Sequence, residues 1–250
     1  MKKILLHSYR GGSGKTIFSL NLSKKLVNQE KRVLLIETDF FMPSFYDIFD
    51  RQPQFYLNDF YEQNCDFNET ILSYDDGFDV IFCSPTFSFS EKSFTSDYKH
   101  HSKVLKQLMT SLDKLKKNYD YCIIDSCPGF GFVQINNILL SDQIFLVIRA
   151  GESAFKGTLN MINNIYVNGF VYGQKINVVW NQIPSNAKSD EMITKWSESM
   201  KNKIMIEQIY RNYYSDEVAT QLICGEHFFD DNSDFSKLLD LIIGDLEARK

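Results

Sequence analysis

No stretch of this chain approaches the roughly 18 consecutive apolar residues that a membrane-crossing helix needs. Cysteine is sparse and scattered: five residues, at 65, 83, 122, 127 and 224, with no CxxC pair. That spacing disfavours a zinc ribbon or a bridging iron–sulfur centre. It fits buried thiols in a reducing compartment, so a cytoplasmic location is expected. Basic residues are also in deficit, 27 Lys and Arg against 32 Asp and Glu, for a net charge of −5. Such a balance gives no support to non-specific DNA binding. Internal repeats, low-complexity tracts and linkers are missing, which predicts a single domain over 1–250. The first residues run straight into a strand pattern, so no signal peptide is expected.

What the chain does have is concentrated near its start. Ile4, Leu5 and Leu6 form a short apolar run, continued by His7, Ser8 and Tyr9, the pattern of a buried parallel strand. Arg10, Gly11, Gly12, Ser13, Gly14, Lys15 and Thr16 follow, then apolar residues at 17, 20, 22 and 26, close to helical spacing. Strand, glycine-rich turn and helix are the context of a phosphate-binding loop. Small residues let backbone N–H groups turn inward around an anion. The helix start adds unpaired N–H donors and a positive dipole end. Lys15 supplies a point charge for the outer phosphates, and the Thr16 hydroxyl is placed to ligate Mg²⁺. The strict pattern GxxxxGK[ST] is not met, because it needs glycine at Tyr9.

Further apolar runs at 33–36, 79–83, 121–124, 144–148 and 176–180 read as strands, with a last short one at 204–209. Helical patterns fall at 104–117, 133–140, 153–167 and 190–200, and from about 216 and 234. The alternation predicts an α/β fold: a mostly parallel sheet flanked by helices on both faces. Residues 40–61 carry nine Phe or Tyr and read as short helices, serving equally well as a partner surface or as core. Residues 87–98 read as a surface loop. His100 and His101 read as a solvated helix start rather than a metal site. Phe235, Leu238, Leu239, Ile242, Ile243 and Leu246 share one helical face. An interfacial helix wants a basic polar face, and here Lys237, Arg249 and Lys250 are balanced by Asp240, Asp245 and Glu247. Packing on the domain is therefore expected, and membrane attachment is disfavoured.

Ligands of open α/β sheets bind beyond the carboxyl ends of the strands. Asp125 ends the run 121–124, hydrophobics and then an acid, as a Walker B carboxylate does. Its expected role is to hold a Mg²⁺-bound water or the Thr16 ligand sphere. Asp39 and Asn181 end two other strands.

Together these residues resemble the MinD/ParA family of ATPases, which carries a deviant Walker A loop, KGGxGKT. The resemblance runs nearly end to end and implies a P-loop NTPase fold with ATP and Mg²⁺ as ligands. It implies a dimerisation switch controlled by nucleotide, hydrolysing ATP slowly and clamping it within a homodimer. Arg10 stands where the family has a lysine that reaches the partner's phosphates. Arginine keeps the charge and adds a planar fork of donors. Asp39 matches the acid that orients the attacking water, although Glu37 replaces the first Asp of the family's DxD. Ser126, Cys127, Pro128 and Gly129 resemble the end of D-T-P-P-G, with Cys127 in place of a proline. Gly129 is then the turn whose backbone senses the γ-phosphate. Asn181 is implied to hydrogen-bond the adenine edge, and Glu152 to face the partner's nucleotide. Two alternatives use the same core: a non-hydrolysing ATP-binding adaptor, for which the departures at Arg10, Glu37 and Cys127 leave room, and a metabolic ATP-dependent ligase. An unidentified protein partner is expected, with no zinc or iron–sulfur cluster.

Overall fold

A parallel strand covered on both faces must be apolar at consecutive positions, and the runs identified above obey that rule. The computed structural model describes residues 1–86, 98–167, 169, 171–229 and 233–248. Eight strands form one sheet: β1 (Lys2–His7), β2 (Val33–Thr38), β3 (Leu72–Asp75), β4 (Phe78–Ile81), β5 (Tyr121–Ser126), β6 (Gln143–Arg149), β7 (Lys175–Ile183) and β8 (Gln208–Tyr213). Their order is β3-β4-β2-β5-β1-β6-β7-β8. Every neighbouring pair is parallel except β3 with β4. The loop after β1 leaves the sheet at its centre, between strands reached by crossovers in opposite directions.

Alternate side chains of each strand go to opposite faces. Ile4, Leu6, Val33, Leu35, Ile123, Phe145 and Val147 join one core. Helices α1 (Lys15–Asn28) and α9 (Asp234–Ala248) cover that face through Phe18, Leu22, Leu26, Leu239 and Ile242. Leu5, Leu34, Ile36, Ile124, Leu146 and Val178 join the other core. That face carries α4 (Tyr98–Leu115), α5 (Phe132–Leu140), α6 (Glu152–Met161) and α7 (Ala187–Lys201). Two short helices, α2 (Phe45–Ile48) and α3 (Leu57–Tyr61), follow β2, and α8 (Asp216–Ile223) follows β8.

Several expectations need correction. The strand placed at 204–209 is β8, four residues later, where Tyr210 is buried beneath α9 and its hydroxyl donates to Asp245 at 2.7 Å. The apolar spacing at 204–209 belongs instead to the approach, since Ile204, Ile206 and Ile209 pack on the core from its margin. Strand β3 was not foreseen: its alternation is half-exposed and too short to register. The helix expected over 153–167 ends at Met161 and continues as a π-helical turn, Ile162–Tyr166. His101 is buried, not solvated, and stacks on Phe132 at 4.6 Å between ring centroids. Of the nine rings in 40–61, Phe40, Phe45, Phe49, Phe60 and Tyr61 are buried, and only Phe41 and Tyr46 are exposed. That segment is chiefly core. Cys83, Cys122 and Cys127 are buried, Cys65 is half-buried and Cys224 is exposed. Of the loop expected over 87–98, residues 87–97 lie outside the described residues, and Tyr98 opens α4.

The apolar face of α9 packs as expected, with Ile242 fully enclosed and Lys25 paired to Asp240 at 3.0 Å. Ile242→Ala should therefore lower unfolding free energy by about 2–5 kcal/mol in urea titration, as the transfer and cavity costs of a core methyl cluster require.

Candidate nucleotide-binding site

The loop Arg10–Thr16 leaves β1 and enters α1. Gly12 and Gly14 have φ of +69° and +92°, a backbone that favours glycine. At Gly14 there is a second reason. A Cβ there would meet Asn181 Nδ2 at 2.3 Å, so Asn181 occupies the space a side chain would need. No side chain caps the start of α1. Its first N–H groups are therefore presented toward the loop, the arrangement that suits an anion.

Lys15 is buried, and its Nζ donates to the Ser8 hydroxyl at 2.9 Å. Burial lowers its pKa, and the charges of Asp125 and Asp39 oppose that fall. Thr16 Oγ1 donates to Asp125 Oδ2 at 2.7 Å. Asp125 reaches this position because β5 lies beside β1, with Asp125 in register with Leu6. The strand end is fixed further by Ser126 Oγ donating to the Leu6 carbonyl at 2.7 Å and Thr38 Oγ1 donating to the Asp125 carbonyl at 3.0 Å. Burial pushes the Asp125 carboxyl up to about 6, against the pull of Lys15 and Thr16. Its Oδ1 is buried with no hydrogen-bond partner among the described residues. An orphaned buried carboxylate oxygen beside a hydroxyl is a donor set that fits Mg²⁺ or a water bound to it.

Asp39 is half-buried and accepts from the Phe41 and Met42 N–H groups at 3.1 and 3.0 Å, both on Oδ1. Those bonds fix the carboxylate and leave Oδ2 outside them. Arg10 is exposed, its guanidinium 5.7 Å from the centre of the Tyr9 ring. Tyr9 itself lies on α6, where a Cβ on Gly157 would come within 2.0 Å of the ring. Arg10, Gly11 and Glu152 line a cavity of about 360 Å³ between the loop and α6. Glu152 is exposed and pairs with Lys156 at 2.7 Å. A larger cavity, about 460 Å³, opens beside Gly14 between β7, β8 and α8. Its walls include Asn181, Arg211, Asn212 and Tyr213. Asn181 Nδ2 donates to the Ser13 carbonyl at 2.8 Å, and its Oδ1 accepts from Asn212 Nδ2 at 2.7 Å. The asparagine thus braces the phosphate loop from the wall of the cavity.

The structure therefore gathers Gly11, Gly12, Ser13, Gly14, Lys15, Thr16, Asp39 and Asp125 at one end of the sheet. Asn181 joins them through Ser13. Arg10 and Glu152 sit apart, on the rim of the second cavity. Three participants had no sequence reading as site residues, and a fourth, Glu37, was read only as a departure from the first acid of DxD. Arg211 and Asn212 come from a strand that was placed four residues early. His7, wholly buried, bonds the Gly129 carbonyl and the Tyr166 hydroxyl. A histidine ending an apolar strand was the available signal, since burial holds its pKa down at about 4 and keeps it neutral. Glu37 is fully buried: Oε1 accepts from the N–H groups of Ser44 (2.6 Å) and Phe45 (3.0 Å), and Oε2 accepts from that of Cys83 (3.0 Å). Its longer side chain, the apparent departure from an aspartate pattern, is what spans to the start of α2.

A central phosphate loop with a buried lysine, a hydroxyl and an acid at its strand end define a P-loop nucleotide-binding protein. The comparisons agree. A family model described as an AAA domain matches residues 1–178. An uncharacterised protein of Methanocaldococcus jannaschii is 28% identical over 176 residues, covering 66% of this chain and 65% of that one. The sporulation initiation inhibitor protein Soj of Bacillus subtilis is 27% identical over 170 residues, covering 66% and 64%. The matched region thus spans slightly under two thirds of the length of these relatives. The solved ATP complex of a Cyanothece McdA variant superposes with a TM-score of 0.78 at 20% identity, covering 99% of this chain and 96% of that one. The chain belongs to this AAA-domain family and is a member of the MinD/ParA-family P-loop ATPases.

Glu37, being buried, makes the stability of the fold depend on pH. Burial pushes its carboxyl up to about 8 from the ordinary 4.5, with the three backbone N–H groups opposing. Between those values the folded protein holds a proton that the unfolded chain has released. Stability should therefore fall as pH rises from about 4.5 to about 8, and level off above. Glu37→Gln removes that dependence, while setting an amide N–H against a backbone N–H at one end or the other. Denaturation across pH 5–8 should show a flatter profile for the variant, with a loss of about 1–3 kcal/mol at the acidic end.

Proposed function

We propose that this chain is a Mg²⁺-dependent ATPase in which bound ATP controls the pairing of two copies. The observation that carries the reading is the joint placement of Lys15, Thr16 and Asp125 around an uncapped helix start. In it the glycine N–H groups and Lys15 hold the phosphates, with Lys15 already buried and pre-oriented by Ser8. Thr16 and the unpaired Oδ1 of Asp125 would hold Mg²⁺, directly or through water. When bound, the ion neutralises charge on the phosphate oxygens. Asp39 orients the attacking water through Oδ2, its other oxygen being tied to the backbone. Catalysis in such a site is positioning and charge stabilisation, with little covalent chemistry for the protein. The cavity beside Gly14 takes the nucleobase, within the size range of small-ligand sites.

Pairing of two copies is supported by Arg10. It is exposed, forms no ion pair among the described residues, and stands at the mouth of the second cavity beside Glu152. A cation held on the rim of its own loop is available to phosphates approaching from outside. Slow turnover fits a protein whose output is the bound state.

Lys15→Ala should abolish binding of a fluorescent ATP analogue, and undiminished binding would overturn the phosphate-loop assignment. Arg10→Ala should leave binding by the monomer within about twofold, while the ATP-dependent dimer and hydrolysis are lost, the cost of truncating a charged contact. Light scattering with ATP and Mg²⁺ reads the first effect and phosphate release without any small-molecule cosubstrate the second. A dimer of Arg10→Ala as tight as wild type would refute the role given to that residue.

A further inference from the structure

The phosphate chemistry above makes no use of His7. It is the last residue of β1 and wholly buried, yet both ring nitrogens are engaged. Nε2 lies 2.8 Å from the Gly129 carbonyl and Nδ1 lies 2.7 Å from the Tyr166 hydroxyl. A carbonyl oxygen can only accept, so Nε2 carries the hydrogen. The ring is neutral, so Nδ1 offers a lone pair and Tyr166 must donate to it. Tyr166 thereby fixes the tautomer, and the tautomer makes the bond to Gly129.

Gly129 is gripped on both sides by the end of β1. Its N–H donates to the Ser8 carbonyl at 2.9 Å, and its own carbonyl accepts from His7. Its φ of +86° makes a sharp reversal four residues beyond Asp125. Because a trans peptide sets C=O and N–H antiparallel, holding the Gly129 oxygen also directs the next N–H, that of Phe130. Tyr166 belongs to the π-helical turn that continues α6, and α6 supports Tyr9 of the phosphate loop through Gly157. Short π-helical segments are frequent at functional positions. One imidazole thus joins the end of α6 to the loop after Asp125.

We propose that His7 is a positioning residue: oriented by Tyr166, it holds the Gly129 turn against β1 and sets how readily the loop after Asp125 responds to a bound triphosphate. The second half rests on reading the site as an ATP site. A ligand that draws the Gly129 N–H away from Ser8 works against this hold, so weakening the hold favours that ligand alone. A diphosphate too short to reach the loop is indifferent to it.

The first measurement needs neither nucleotide nor variant. In ¹⁵N-labelled protein the His7 ring should show a protonated Nε2 and a bare Nδ1; the opposite tautomer would overturn the proposal. Tyr166→Phe then removes only the hydroxyl and keeps the ring. Amide exchange at Gly129 should quicken by roughly threefold to tenfold, the range expected for one hydrogen bond, with Ile242 in α9 unaffected. Binding of Mg²⁺–AMPPNP should tighten by about the same factor, with ADP affinity unchanged. Unaltered exchange at Gly129, or equal shifts for both nucleotides, would show a merely structural residue and overturn the proposal. Failure of wild type to bind AMPPNP would refute the ATP reading alone, and the tautomer and exchange results would still decide whether His7 holds Gly129.

Discussion

Burying the Lys15 ammonium is the constraint that the rest of the site answers to. Taking such an ion out of water costs several kcal/mol unless other groups compensate. Compensation comes from the Ser8 hydroxyl and from the charges of Asp125 and Asp39. These groups belong to the ends of three different strands, β1, β5 and β2. They converge on one amine only if the three strands lie side by side and finish at one level. The order β2-β5-β1 and the pairings of Leu6 with Asp125 and of Glu37 with Asp125 deliver that convergence. The parallel topology and the chemistry of the site are thus one requirement.

Around this charge, buried polar bonds tie each loop to a neighbour. Glu37 joins the end of β2 to the start of α2 and to Cys83, just beyond β4. Thr38 receives Asn137 of α5 at 2.7 Å and itself bonds β5. Asn181 ties β7 to the phosphate loop. In a low-dielectric interior such bonds are strong when made and expensive when lost, so they specify one arrangement of the loops. These bonds converge on the loops around Lys15, while Arg10 stands exposed at the rim.

The fold was legible in the sequence where burial was two-sided. Runs such as 33–36 and 121–124 have no polar alternation to confuse them, and β2 and β5 sit there. It was illegible where the signal was tertiary. β8 lies along the margin, and its tyrosine and arginine are explained by Asp245 and Asp190 rather than by any periodicity. His101 reads as polar, and the Phe132 ring stacked on it accounts for part of its burial. The phosphate loop was legible because its chemistry is local: seven consecutive residues contain it. Glu37 and His7 were not, because each acts on backbone groups brought near by the fold, at Cys83 and at Gly129. Hydrogen bonds to backbone leave no mark in the identity of the partner.

The Tyr9 ring resting against Gly157 carries a consequence for inheritance. Tyr9 takes the position where a strict phosphate loop has glycine, and the room for its ring exists only because α6 gives up a side chain. Glycine inside a helix is costly, by about 1 kcal/mol relative to alanine. Any side chain at 157 would overlap the ring, while glycine at position 9 would leave a hollow above the helix. The two positions therefore form a matched pair, and neither can drift alone. A loop transplanted from this chain into another scaffold would have to bring its notch with it, and a relative that has lost the ring would be free to fill the notch.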